Sequence, residues 1–418
     1  MAYRSRLAAL PACRMPSLAI RLAIRLAIRL VVPLAGLVPV IAAADIYSEQ
    51  QGEITLEASW YPRDAAYTGQ ESGFTHFEAR PELYLETDST SFLLQPRLSG
   101  GSAGHGFADL REAHVTTRLD AVDVLIGNTI LFWGKTESYN PVDIVNSRDF
   151  SRGLMRGEKR GAPMLRISWP IGPGQLDLHA IDFTPNIYPG LKMRERPGLR
   201  VQRQNSFSHG AAKGDLATAL RWAGYFGDVD LGLSWFRGTG VNPRLLPQAN
   251  GTLQADYSRI TQTGVDIQYL RGDSAFKGEF VRRSGQYDLN GQVKNYRAAV
   301  MGVEHNLYGF GGSDRDLVLI AELARDSRKA AAHSGFQNDL AIGARMLFND
   351  VEDSEAMLLL SRDLDNGAQL ISLTGSRRIN DSITADASAK WPIKFKDDPA
   401  SAALARDAVV MLSLTYGF

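Results

Sequence analysis

From Glu53 to the C-terminus, apolar and polar residues alternate one for one in runs about ten residues long. Successive side chains of a strand point to opposite faces, so a period of two builds a sheet with one apolar and one polar side. Ten residues is also the length a tilted strand needs to cross a hydrocarbon layer. Val229, Leu231, Leu233 and Trp235 alternate with Asp230, Gly232 and Ser234, and Ile383, Ala385, Ala387, Ala389, Trp391 and Ile393 alternate with Thr384, Asp386, Ser388 and Lys390. No segment competes as a long amphipathic helix. Repeated apolar runs of about 20 residues, which a bundle of membrane helices requires, are missing. A hydrophobic content of 44% excludes a disordered chain.

The alternation marks 18 strands: 53–61, 76–87, 91–98, 107–119, 122–134, 162–169, 174–182, 215–226, 229–239, 262–271, 274–283, 296–307, 317–325, 336–348, 355–363, 368–379, 382–396 and 408–418. The connections sort by parity. Every second one is short, as at Asp120-Ala121, Gly227-Asp228 and Gly272-Asp273, and the intervening ones are mostly long, as at 62–75, 135–161, 183–214 and 240–261. Outer-membrane barrels have tight periplasmic turns and long outer loops. The expected fold is therefore all-β, a transmembrane up-and-down antiparallel β-barrel of about 18 strands. Two links fit the parity less well, a long inner one at 308–316 and a short outer one at 364–367. Sixteen strands result if 91–98 and 107–119 belong to one connection.

The first 44 residues differ from the rest. Arg4, Arg6, Arg14, Arg21, Arg25 and Arg29 appear with no acid, followed by an apolar stretch from Leu30 that ends Ala42-Ala43-Ala44. A basic start, a short apolar stretch and small residues describe a cleaved secretory signal, with 45–418 as the barrel. Either Met1 or Met15 serves as a start, and the repeated Leu-Ala-Ile-Arg units at 18–29 carry no structural meaning. Removing 44 residues leaves 374, and removing six of the 46 bases leaves 40 against 46 acids, a net charge of −6. Cys13, the single cysteine, leaves with the signal. A mature chain without cysteine is neither a disulfide scaffold nor a thiol enzyme nor a Cys-ligated metal protein.

The last strand places Val410, Leu412, Leu414, Tyr416 and Phe418 on one face, and Phe418 ends the chain. This resembles the C-terminal signature of bacterial outer-membrane barrels, which implies that the barrel-assembly machinery reads Tyr416 and Phe418. A girdle role at the inner interface is the plainer reading of the same two rings.

Trp133-Gly134-Lys135, Tyr139-Asn140-Pro141, Asp143, Asn146, Arg148-Asp149 and Arg152 open the 27-residue connection 135–161. Asn140-Pro141 favours a turn, and guanidinium–carboxylate pairs can tie such a loop together. Folded inward it narrows a lumen; left outside it is a solvated loop. With Gln262-Thr263-Gly264-Val265-Asp266, Phe336-Gln337-Asn338-Asp339 and Asn349-Asp350, this stretch resembles a family of bacterial outer-membrane, porin-like barrels known mostly as hypothetical proteins. The resemblance implies the fold and the cell outer membrane, and implies no substrate.

Connection 183–214 carries Lys192, Arg194, Arg196, Arg200, Arg203 and Lys213 against Glu195, a charge of +5, and connection 135–161 carries +2. Lys135, Arg148, Asp149 and Arg152 with Lys192, Arg194, Arg196, Arg200 and Arg203 are thus the candidate pore and constriction residues. One reading is an anion-favouring mouth; the other is pairing with lipopolysaccharide phosphates at the rim. An enzyme is the rival class. His179 and Asp177 share a strand face, but no nucleophile elbow or His-Glu-x-x-His spacing accompanies them. The expectation is a non-enzymatic channel for small-molecule solutes, embedded in outer-membrane lipid and needing no cofactor, metal or nucleic acid. A plugged or closed barrel serving envelope assembly is the alternative.

Overall fold

A computed structural model describes residues 46–102, 106–398 and 401–418. The expected signal at 1–44 lies outside the described residues. Each alternating run pairs antiparallel with the next, and the last pairs with the first. The wall strands are β1 (Tyr47–Trp60), β2 (Gly73–Glu86), β3 (Thr90–Gly101), β4 (Phe107–Leu119), β5 (Val122–Thr129) and β6 (Ala162–Ile171). They continue as β7 (Gly174–Asp182), β8 (Leu216–Phe226), β9 (Val229–Thr239), β10 (Leu253–Arg271), β11 (Ser274–Ser284) and β12 (Tyr296–Leu307). The circuit ends with β13 (Asp316–Asp326), β14 (Asn338–Leu347), β15 (Glu355–Asp363), β16 (Gln369–Asn380), β17 (Ile383–Ile393) and β18 (Val409–Gly417). Closure gives every wall strand two neighbours, which a bilayer demands because hydrocarbon offers no hydrogen-bond partner to a free sheet edge.

The register fixes which side chains face inward. Leu56, Leu414 and Phe77 are mutually opposed on one face, as are Glu57, Ser413 and His76 on the other. Leu165, Leu178, Leu220, Val265, Leu319 and Leu358 share the outward face and stay exposed, so the exterior carries an apolar belt. Glu78, Arg97, Asp266, Glu279 and Glu322 point into the lumen and are buried. At the end that holds Tyr47 and Phe418, Trp222 and Phe226, Tyr269 and Phe276, and Tyr416 and Phe418 form ring pairs 5.8 to 6.3 Å apart. An apolar belt with aromatic rings at its border and a polar interior is the arrangement of an outer-membrane barrel.

The eighteen-strand count holds, and the sixteen-strand alternative is set aside. β3 and β4 are separate wall strands that pair along Thr90–Ser99, with a bulge at Gln95 and Pro96. Several boundaries move. The first strand begins at Tyr47, because β2 supplies a partner as far as Glu86. β10 begins at Leu253, because its first residues pair outside the wall with the short strands Ser206–Ser208 and Arg244–Pro247. The strand expected over 122–134 leaves the wall at Thr129, and its last five residues, 130–134, enter the lumen.

Candidate functional site

Residues 130–161 do not lie outside the barrel. After Thr129 the chain turns inward, and Leu131, Trp133, Val142, Ile144 and Val145 pack against Phe236, Ile260 and Val281 of the wall. Glu279 of β11 anchors this entry. Its Oε1 accepts the backbone N–H groups of Lys135 at 2.7 Å and Thr136 at 3.1 Å, the Thr136 hydroxyl at 2.8 Å and the Asn140 amide at 2.9 Å. A buried carboxylate needs such donors, because it has left water behind. Gly134 has φ +114°, and a Cβ there would stand 2.6 Å from Glu279 Oε1, so only glycine fits between the loop and its anchor. Glu322 of β13 accepts the Glu137 and Ser138 N–H groups at 2.6 and 2.7 Å. Lys135 pairs with Asp230, and Arg345 with Glu137 at 3.1 Å.

The returning half of the loop is fastened to the opposite wall. Asp149 meets Arg97 of β3 at 2.9 Å, and Glu158 meets Arg80 of β2 at 3.0 Å. Arg152 and Arg156 reach Glu57 of β1 at 3.2 and 2.9 Å. The loop therefore spans the lumen from β9–β14 to β1–β3. Lys159 pairs with Asp143 at 2.7 Å, and burial holds the Asp143 carboxyl above and the Lys159 ammonium below their ordinary values.

The basic block of 183–214 disperses. Arg194 is fully buried and donates to Asp407 at 3.0 Å and to the Arg63, Asp64 and Arg406 carbonyls. Glu195, equally buried, accepts from Tyr61 at 2.7 Å, and burial raises its carboxyl above the usual range. Arg196 donates to the Pro197 and Gly198 carbonyls and lies over the Tyr67 ring. Lys192 is exposed and pairs with Glu71 at 3.1 Å, while Arg200 and Arg203 are exposed on the loop surface. The five bases do not converge.

A cavity of about 680 Å³ remains in the outer half of the lumen, between the inward loop and the wall β14–β17. Arg148, Arg283, Arg328 and Lys390 line it with Glu137, Asp339, Asp363 and Asp398. Tyr139 stacks on Phe336, ring centres 5.2 Å apart at 8°, and Arg328 lies 3.5 Å from the centre of the Tyr296 ring. Burial pushes the Tyr139 hydroxyl up to about 12, so it stays a neutral donor. Of the nine residues singled out in the sequence, Arg148 alone borders this space; Lys135, Asp149 and Arg152 hold the loop in place. Asp339 was visible as part of Phe336–Asp339. Arg283, Arg328, Lys390 and Asp363 carried no local signal, because contacts between elements distant in sequence bring them together. His179, the centre of the enzymatic alternative, is buried beside Trp133 and its ring nitrogens meet no protein partner.

The chain is an outer-membrane β-barrel of porin-like architecture. No protein-family model matches it, and no curated protein matches it in sequence. It is similar in fold to OccK11 of Pseudomonas aeruginosa, with 8% identity, 90% of this chain and 96% of that one covered, and a TM-score of 0.53. A BenF-like porin from Pseudomonas fluorescens Pf-5 is similar at 9% identity, covering 90% of this chain and 98% of its own, with a TM-score of 0.53.

Proposed function

We propose that the protein is a diffusion channel that passes small solutes across the outer membrane, with 130–161 as its constricting loop. The cavity between that loop and β14–β17 carries this reading, since it is open, polar-lined space beside the loop. Barrels of 16–18 strands enclose an aqueous channel unless something fills them. The cavity is lined by four bases and four acids, so we read a passage for small polar solutes with little preference for either ion sign. An anion-favouring mouth built from the basic loops has less support, because most of those bases are engaged by carboxylates or carbonyls. Tyr416 and Phe418 fit the assembly reading, and residues 1–44 the cleaved signal. Single-channel recording in planar bilayers tests the channel: steps above the empty-bilayer baseline are expected, and their absence sinks it. The apolar centre of the loop, packed through Val142 and Ile144 against Phe236, Ile260 and Val281, favours a second reading, a plugged barrel with a structural role in the envelope.

A further inference from the structure

Outward positions are apolar across the middle of the wall, but at the outer ends of five strands in one sector they are arginine. Arg237 of β9, Arg282 of β11, Arg297 of β12, Arg325 of β13 and Arg362 of β15 all have outward parity and are exposed. The matching positions of β16–β2 are Gln369, Trp391, Val410, Trp60 and Thr75, none of them charged. The cluster therefore occupies one side of the rim.

Arg282 and Arg297 stand directly opposite each other across the β11–β12 pair. Like charges in that position destabilise a sheet. Arg325 is the diagonal neighbour, because it pairs with Ala299, two residues on from Arg297. Among the described residues, no carboxylate forms an ion pair with any of the five arginines. A groove of about 420 Å³ opens here, lined by Arg297, Arg325, Ser327 and Lys329 with Phe280 at its floor. Asp326 and Asp365 border it too, but Asp326 is engaged by Arg328, and Asp365 accepts from the Asn338 amide at 2.7 Å. Phe280, Leu323 and Leu340 continue outward-facing and exposed on the membrane side of the groove.

Cations without protein partners, placed just above an apolar surface at the outer leaflet, fit one chemistry. We infer that Arg282, Arg297 and Arg325 bind the phosphates of a phosphorylated outer-leaflet lipid, whose acyl chains lie on Phe280, Leu323 and Leu340. Guanidinium recognises phosphate oxygens with paired N–H donors, and the anion relieves the Arg282–Arg297 repulsion. Lys329 adds a further positive charge at the groove. This rests on the orientation of the barrel in the membrane and stands whether or not the lumen conducts.

Native mass spectrometry of the folded full-length barrel in detergent tests the inference, with bisphosphorylated lipid A, dephosphorylated lipid A and inorganic phosphate as probes. The wild type is expected to retain the bisphosphorylated lipid and to bind the dephosphorylated one at least about ten-fold more weakly. At roughly a factor of five per arginine near an anionic lipid surface, R282Q/R297Q/R325Q loses on the order of 100-fold in affinity. Equal retention of the two lipids by the wild type overturns the inference and needs no variant, so a poorly folding triple mutant leaves the test intact. Inorganic phosphate binding as tightly as the lipid also overturns it, by marking a free-anion site. Heat-modifiable migration of the triple variant establishes that its barrel is folded.

Discussion

Arg97 of β3 and Asp149 of the inward loop lie 2.9 Å apart, both almost fully buried, while Asp109 holds another edge of the same guanidinium at 2.8 Å. Removing one member of a buried ion pair strands the charge of the other, at about 3–5 kcal/mol. Arg97→Met should therefore free the returning half of the loop while the wall pairing survives. The expected outcome is new protease cleavage within 147–160 in a variant whose heat-modifiable migration is normal. A loop as resistant as in the wild type would show that this pair does not hold it.

Selectivity should track the cavity rather than the charge count of the loops. Lys192, Arg200 and Arg203 are exposed and stand away from the cavity lining, so K192Q/R200Q/R203Q is expected to keep the wild-type reversal potential in a salt gradient. Asp339→Asn with Asp363→Asn removes two wall acids that line it and should shift the reversal potential towards anions. That shift should be largest at low ionic strength, where a Debye length of about 30 Å at 0.01 M leaves the remaining bases unscreened. The opposite pattern would restore the basic mouth as the selective element.

Acid should loosen the loop 327–337. Burial and the nearby Arg328 hold the His333 imidazole below its ordinary value of 6.5, although Asp288 opposes the shift. The docked loop thus binds fewer protons than the released one. Its docking is strongest above pH 6.5 and weakens as pH falls from there towards the depressed value, by up to about 1.4 kcal/mol per pH unit. Amide exchange over 331–336, corrected for intrinsic rates, should speed up between pH 7 and pH 5, and His333→Gln should remove that dependence. Equal pH dependence in the two proteins would assign it elsewhere.

Phe418 closes the seam. Its N–H donates to the Gly52 carbonyl at 3.0 Å and its carbonyl accepts from the Gly52 N–H at 2.9 Å. A Cβ on Gly52 would stand 2.7 Å from the Phe418 ring. Deleting Phe418 is expected to lower the heat-modifiable folded fraction in the outer membrane while leaving export intact, and Gly52→Val should do the same more weakly. Normal accumulation of the truncated chain would reduce the terminal ring to interface decoration.

Strand number and inside–outside order were legible because each residue's face is set by its immediate neighbours in sequence. The alternation that set Asp230, Gly232 and Ser234 against Val229, Leu231, Leu233 and Trp235 required no partner to be known. Boundaries slipped where pairing extended beyond the alternating run, as at Tyr47–Gly52, or where the run continued after leaving the wall, as at Trp133. The site was less legible. Arg194 and Asp407 are 213 residues apart, so the neutralisation of that base could not be counted from its own loop. Separation in sequence likewise hid the meeting of Arg283 and Lys390 around one space.

A hollow cylinder yields most easily by flattening into an oval. The segment 130–161 is tied to Glu279 and Glu322 on one side and to Glu57, Arg80 and Arg97 on the other, so it acts as a cross-brace. Flattening along that diameter would shorten the brace, and flattening at right angles would stretch its ionic ends. The bore is thereby fixed in cross-section by a few carboxylates and guanidiniums, and lateral pressure from the bilayer is carried across the barrel instead of around its rim.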